Sequence, residues 1–435
     1  MKLSKTTNKG QKESNLRYLS QCNINFEDPL KKVALQKLFV NSQVMLIYGA
    51  AGTGKTTLIN HISNMMNQSK KLFLTKTYTA LQNLKRLIDN PGLDSDFVSI
   101  DSFTKTITLT DYDIVFVDEC STIDNRTMKR LLEKIDESTQ LILAGDIYQI
   151  ESIDFGNWFY YAKDIIKTDY ANVELLNTWR TDKKELKSLW DEVRCIEPII
   201  TEKLAIDGPF SSKIGEEIFI PQDEDEIVLC LNYDGKFGLN NMNLYFQNAN
   251  TKSDVYTWTE WTFKVGDPVI FLDTKRSSLL YNNLKGKIVD ISKNDSAISF
   301  TLDIDTILTE RQCRNESFEF VDITDFGTRI RLEVIANNDE TATDEERIKT
   351  IIPFQIAYAI SIHKAQGLEY KSVKIIIPPY NAEKISHSIF YTAITRAKEK
   401  LKIYWSAETM KSVVESFSKE KVGQHTLELI EKKLE

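Results

Sequence analysis

The residues Gly49-Ala50-Ala51-Gly52-Thr53-Gly54-Lys55-Thr56-Thr57 follow a short apolar run, Val44-Met45-Leu46-Ile47-Tyr48. They lead into Leu58-Ile59-Asn60-His61-Ile62, whose apolar positions recur at helical spacing. Gly49, four intervening residues, Gly54, Lys55 and Thr56 fit the pattern of a phosphate-binding loop. A strand, a glycine turn and a helix start form an anion cradle, because unpaired backbone N–H groups and the positive end of the helix dipole face the same point. Glycines let the backbone approach where a Cβ would clash. In this reading Gly49, Ala50, Gly52, Thr53, Gly54 and Thr57 shape the cradle. Lys55 reaches the β- and γ-phosphates, and Thr56 holds Mg²⁺. A chance glycine-rich turn is the plain alternative, and the flanking strand and helix argue against it.

The 435 residues allow two to four domains of about 100–200 residues each. Apolar content of 42% and charged content of 27% are those of a globular protein. No apolar run reaches the about 18–20 residues of a membrane span. The first residues are polar and carry no apolar signal core, and the five cysteines are scattered without a CxxC pair. These features lead us to expect a reduced, cytoplasmic setting with neither a zinc site nor a disulfide framework. The net charge of −8 argues against a chain coated in nucleic acid. It leaves room for a local basic groove.

Asp113-Ile114-Val115-Phe116-Val117-Asp118-Glu119 is the second decisive stretch. A continuous apolar run suits a strand buried on both faces of a parallel sheet. Its acids emerge at the carboxyl end, where open α/β sheets bind ligands. There Asp118 serves the Mg²⁺ shell and Glu119 orients or deprotonates the attacking water. The plain alternative is a capping acid pair. Gln140-Leu141-Ile142-Leu143-Ala144-Gly145-Asp146 repeats the design, and Gln149 follows within reach of a γ-phosphate. Strands alternate with helical stretches such as 126–135 and 183–195, the rhythm of a doubly wound α/β fold.

Elsewhere, 26–40 reads as an amphipathic helix entered through Pro29. Gln36 on it could read an adenine edge or be a solvated helix residue. Thr79 reads as a helix N-cap, and 97–103 as a short strand and turn. Residues 262–350 change to short alternating strands with glycine turns, a small β-barrel inserted into the second domain. Arg180, ending Val173-Glu174-Leu175-Leu176-Asn177-Thr178-Trp179-Arg180, reads on its own as a surface residue.

Taken together, these motifs resemble the superfamily 1 helicases, most closely the RecD/Dda/Pif1-like branch with UvrD-like C-terminal motifs. The residues that carry the resemblance are GAAGTGKTT, TKTYTALQNL, SIDSF, VDEC, GDIYQIESIDFGNWF, LNTWR, SIHKAQGLEY and FYTAITRAKEKLKIYW. It spans 26–405. It implies two RecA-like P-loop lobes with ATP and Mg²⁺ between them and an SH3-like insertion in the second. The expected division is a flexible arm 1–25, a first lobe 26–170 and a second lobe 171–261 with 350–405. The insertion is 262–349, and a helical tail covers 406–435.

By resemblance Arg180 and Arg396 become arginine fingers, and Gly367 and Glu369 line the nucleotide cleft. Thr77, Thr79, Ser102, His363 and Lys364 contact the nucleic acid. Phe103, Trp158, Trp258 and Trp261 are candidate stacking platforms, although large aromatics dominate cores and a core role is the leading reading for each. The implied activity is ATP-driven 5′→3′ movement on single-stranded DNA with duplex unwinding. A second reading is an ATP-gated regulatory subunit with a partner such as a nuclease. An RNA-directed helicase is a third, and no residue pattern reads a 2′-OH. Only about forty residues separate Thr79 from Asp118, which makes any duplex-splitting wedge minimal or absent. The Q-motif near the N-terminus is also poorly matched.

Overall fold

The apolar runs around the glycine turn become strands of one parallel sheet. In the computed structural model the described residues are 30–35, 43–66, 68–89, 92, 94–106, 112–135, 139–150, 156–165, 172–251, 253–272, 276–336 and 344–417. Strands β1 (Val44–Gly49), β2 (Lys71–Thr75), β3 (Ser95–Ser99), β4 (Ile114–Val117), β5 (Gln140–Gly145) and β6 (Asn172–Leu175) lie in the order β3-β2-β4-β5-β1-β6. Every pairing is parallel. Alternate side chains point to opposite faces, and each face has its own core. Met45, Ile47, Phe73, Phe116, Ile142 and Ala144 fill one face. Val44, Leu46, Leu72, Val115, Val117, Leu141 and Leu143 fill the other. Burial on both faces explains the unbroken apolar runs, each side chain contributing about 1.5–3 kcal/mol.

Contacts divide the chain into two compact units. The first is Met1–Glu202 with Ile385–Glu399 and Val413–Glu435; the second is Lys203–Lys384 with Lys400–Ser412. These cuts fall elsewhere than the expected lobe boundary at 170. The stretch up to Glu202 and the helix His387–Ile394 share their contacts with the glycine-turn sheet.

Two local expectations change. The cap of helix Tyr78–Leu87 is Thr77, whose side chain accepts from the Ala80 N–H at 3.2 Å, whereas Thr79 is buried inside the helix. Of 97–103, Phe97–Ser99 are strand as expected, within β3, whereas Ile100–Phe103 open the helix Ile100–Thr106 instead of a turn. The Ser99 hydroxyl accepts the Ser102 N–H at 3.3 Å and so offers the chain a helix start that competes with the apolar run. Gln36 lies outside the described residues.

The second unit holds two sheets. β7 (Ser211–Ser212), β8 (Glu226–Cys230), β17 (Ala359–Ser361), β18 (Tyr370–Ile376) and β19 (Ala397–Tyr404) form the order β17-β8-β18-β19-β7. Within it the fully buried Lys374 Nζ sits 2.8 Å from Glu226 Oε1 and donates to the Ile218 carbonyl at 3.0 Å. The inserted residues build β11 (Pro268–Phe271), β12 (Lys285–Lys293), β13 (Ala297–Ile304), β14 (Glu319–Thr324), β15 (Gly327–Ile335) and β16 (Phe354–Ile356). These form an antiparallel sheet in the order β14-β15-β13-β12-β11-β16. A short ribbon, β9 (Tyr256–Trp258) with β10 (Trp261–Phe263), precedes it. Among the described residues, no helix is long and apolar enough to cross a membrane.

Candidate nucleotide site and nucleic-acid contacts

Because β4, β5 and β1 are adjacent and parallel, Asp118, Asp146 and the glycine turn emerge side by side on one sheet edge. In the turn Gly52 and Gly54 adopt left-handed φ values of 75° and 82°. A Cβ on Gly52 would lie 2.3 Å from Arg180 Cβ, so only glycine fits. Gly54 caps helix Lys55–Met65 without a side-chain bond, which leaves the first-turn N–H groups facing outward. Lys55 Nζ donates to the carbonyls of Gly49 at 2.8 Å and Ala50 at 3.0 Å, and Thr53 Oγ1 donates to Ala50 O at 2.9 Å. The loop thus holds its own amine over the cradle.

Thr56 Oγ1 donates to Asp118 Oδ2 at 2.9 Å, and the Glu119 N–H donates to Oδ1 at 2.9 Å. Burial lifts the Asp118 carboxyl to about 6, helped by the Glu119 charge and opposed by the Glu119 N–H, Thr56 and Lys55. Glu119 has a left-handed backbone with φ 55°, a strained state for a non-glycine residue. Its Oε2 is buried with no hydrogen-bond partner. Asp146, also buried and raised by burial, accepts the Tyr148 N–H at 3.0 Å and Gln149 Nε2 at 3.1 Å.

Both arginines converge on one turn. Arg180 Nη1 donates to Thr395 O at 2.9 Å. Arg396, 1% exposed, donates through Nε to Thr392 O at 2.9 Å and through Nη2 to Thr395 Oγ1 at 3.1 Å. The preceding helix is fastened to the glycine-turn unit at several points. Ala51 N–H donates to the Tyr391 hydroxyl at 3.4 Å, Ile150 N–H to Thr392 Oγ1 at 3.0 Å, and Trp190 Nε1 to Ile394 O at 3.1 Å. Arg180 is therefore not the surface residue that its local sequence suggests.

Sequence reasoning reached the strand end at Asp146 without giving the acid a role, and it missed Tyr391, Thr392 and Lys31. Lys31 Nζ lies 5.7 Å from the Trp179 ring centroid and 2.7 Å from where a Gly54 Cβ would be. The strand-end rule that found Asp118 applies equally to Asp146. Nothing local marks Lys31.

In the first unit Thr77 and Ser102 are exposed. Phe103 is 0% exposed and belongs to the sheet core, so it offers no face to a base, and Thr79 is buried too. Trp158 is half-buried, its Nε1 donating to Ile123 O at 2.7 Å. In the second unit His363 is exposed and Lys364 Nζ donates to Gln355 Oε1 at 3.0 Å, its amine lowered by burial. Gly367 has φ 80°, and the Glu369 carbonyl accepts Lys285 Nζ at 2.7 Å. Trp258 is core beneath the antiparallel sheet, whereas Trp261 is 57% exposed.

Residues 31–199 match the family described as AAA domain, and 356–404 match the UvrD-like helicase C-terminal domain. The chain is 22% identical to the RecBCD enzyme subunit RecD of Buchnera aphidicola, over 86% of this chain and 73% of that protein. It is likewise 22% identical to RecD of Haemophilus influenzae, over 92% and 73%. Among solved structures, Bacteroides Pif1 bound to ssDNA matches with a TM-score of 0.55 and 15% identity, over 94% of this chain and 98% of that one. The Pif1 helicase of Candida albicans gives the same score and identity, over 94% and 100%. At that identity the structural likeness is one of fold.

Proposed function

We propose a working cycle for this chain, which belongs to the RecD/Pif1-like branch of the superfamily 1 helicases and is an ATP-hydrolysing DNA helicase. It moves 5′→3′ on single-stranded DNA and separates duplex ahead of it. The observation that carries the reading is the convergence at one sheet edge of Lys55, Thr56, Asp118 and Glu119, beside a turn gripped by both Arg180 and Arg396.

The donor set fits a magnesium nucleotide. Thr56 and Asp118 already share one bond, and a divalent cation would relieve the crowding of two buried carboxylates. Thr56 and Asp118 would hold the cation, which would supply charge neutralisation on the phosphates.

Lys55 exchanges the Gly49 and Ala50 carbonyls for phosphate oxygens. The unpartnered Oε2 of Glu119 accepts from the attacking water. Gln149, held by Asp146, senses the γ-phosphate. Arg180 and Arg396 neutralise charge that develops in transition. Thr77, Ser102, His363 and Lys364 donate to strand phosphates, and we read the antiparallel insertion as the SH3-like domain of this branch.

ATP turnover is the test. Single-stranded DNA should raise the wild-type rate, and Lys55→Ala should abolish turnover. Tailed duplexes should be opened from a 5′ tail and not from a 3′ tail. No stimulation by single strands at low salt would refute the reading; opening from the 3′ tail alone would reverse the polarity.

A further inference from the structure

Three neighbouring strands of the second unit, β17, β8 and β18, pair in parallel, so their carboxyl ends share an edge. Adjacent strands sit about 4.8 Å apart. β17 runs into the exposed His363 and into Lys364. Beyond β8 come Tyr233, 52% exposed, and Lys236; beyond β18 comes Tyr380, 57% exposed.

The loops that carry these side chains are locked together. Asn232 Nδ2 donates to Asn381 Oδ1 at 2.7 Å, joining the residues next to each tyrosine. The Ile362 N–H donates to Cys230 O at 3.2 Å, and the Asn240 N–H to Tyr233 O at 3.0 Å. A Cβ on Gly235 would lie 3.3 Å from the Tyr380 hydroxyl, so the two loops touch. Tyr245 is equally exposed, but its ring lies 3.8 Å from that of Phe219. Tyr233 and Tyr380 have no ring partner among the described residues.

We propose that Tyr233 and Tyr380 are base-stacking platforms for the single strand, with His363, Lys364 and Lys236 following its backbone. The inference rests on the DNA-translocase reading and adds the residues that hold bases. Exposed rings on anchored loops bind any base, because every base has a π-face. A motor that must pass over all sequences needs such a grip. Phe103 and Trp258, the sequence candidates for which a core role is the readier reading, are committed to cores.

Fluorescence anisotropy with labelled oligo-dT and with an abasic oligomer of equal length tests the assignment. Tyr233→Ala and Tyr380→Ala should each weaken oligo-dT binding about fivefold to a hundredfold and leave abasic binding unchanged. Tyr233→Phe and Tyr380→Phe should bind like wild type. Equal loss on both oligomers, or wild-type oligo-dT binding by the double alanine variant, would overturn the proposal. Thermal melting at the wild-type temperature shows that the variants fold. If DNA still stimulates ATPase while the alanine variants bind normally, only the stacking assignment falls. If wild type neither binds nor responds to DNA, the functional reading falls with it.

Discussion

The first sheet and the parallel strands β17, β8 and β18 of the second present the same edge with opposite chemistry. In the first unit the carboxyl ends of β1, β4 and β5 bring buried carboxylates against an amine and a ring of backbone donors. In the second the carboxyl ends of β17, β8 and β18 present exposed rings and cations. Burial makes the difference. A carboxylate withdrawn from water gains electrostatic leverage, whereas a ring in water can trade solvent for whichever base arrives.

The comparison can be broken most severely at Glu119. Glu119→Gln should lower kcat by about 10²–10⁴ and leave oligo-dT affinity intact. Loss of DNA affinity in that variant, measured without nucleotide, would show that the two edges are not chemically separate.

A smaller effect concerns the cost of the buried acid. The folded chain holds the Asp118 proton up to about 6, against an ordinary value of 3.8. The folded state therefore binds more protons than the unfolded one across that interval, and stability falls as pH rises through it. Asp118→Asn should raise the stability of the nucleotide-free protein at neutral pH by about 1–3 kcal/mol. The gain should fade as pH drops from about 6 towards 4. Denaturant melts across pH check this; a constant gain would mean that burial of charge is not its source.

The smallest effect concerns the opposite edge of the second sheet, at the amino ends of β8 and β18. Lys285, on β12 of the antiparallel sheet, lies 3.7 Å over the Tyr370 ring and 3.3 Å from Asp225 Oδ1, besides holding the Glu369 carbonyl. Lys285→Met should cost about 1 kcal/mol of stability. Lys285→Arg should restore it, as checked by thermal melting.

The candidate nucleotide edge was legible because its chemistry lies in contiguous runs. An apolar strand ending in Asp118-Glu119, or a glycine turn ending in Lys55-Thr56, carries its context with it. The strand order that places them together is not written in any run. Nor is the bond from Ala51 to Tyr391, whose partners are 340 residues apart. Aromatic type says nothing of exposure. Phe103 sits on the helix face that packs on the sheet, while Tyr233 lies in a loop and Tyr380 in a short 3₁₀ turn that the sequence reading passed over. Lys31 approaches the cradle from a helix whose charges look merely solvated.

The left-handed backbone of Glu119 has a bearing on how such a chain tolerates change. That conformation costs a non-glycine residue about 1–2 kcal/mol, and glycine would adopt it freely. A library at position 119 selected only for folding should therefore admit glycine. The same library selected for turnover should return glutamate. On the proposed role of Glu119, a sequence optimised for stability alone would drift towards a well-folded protein that holds nucleotide and does no work.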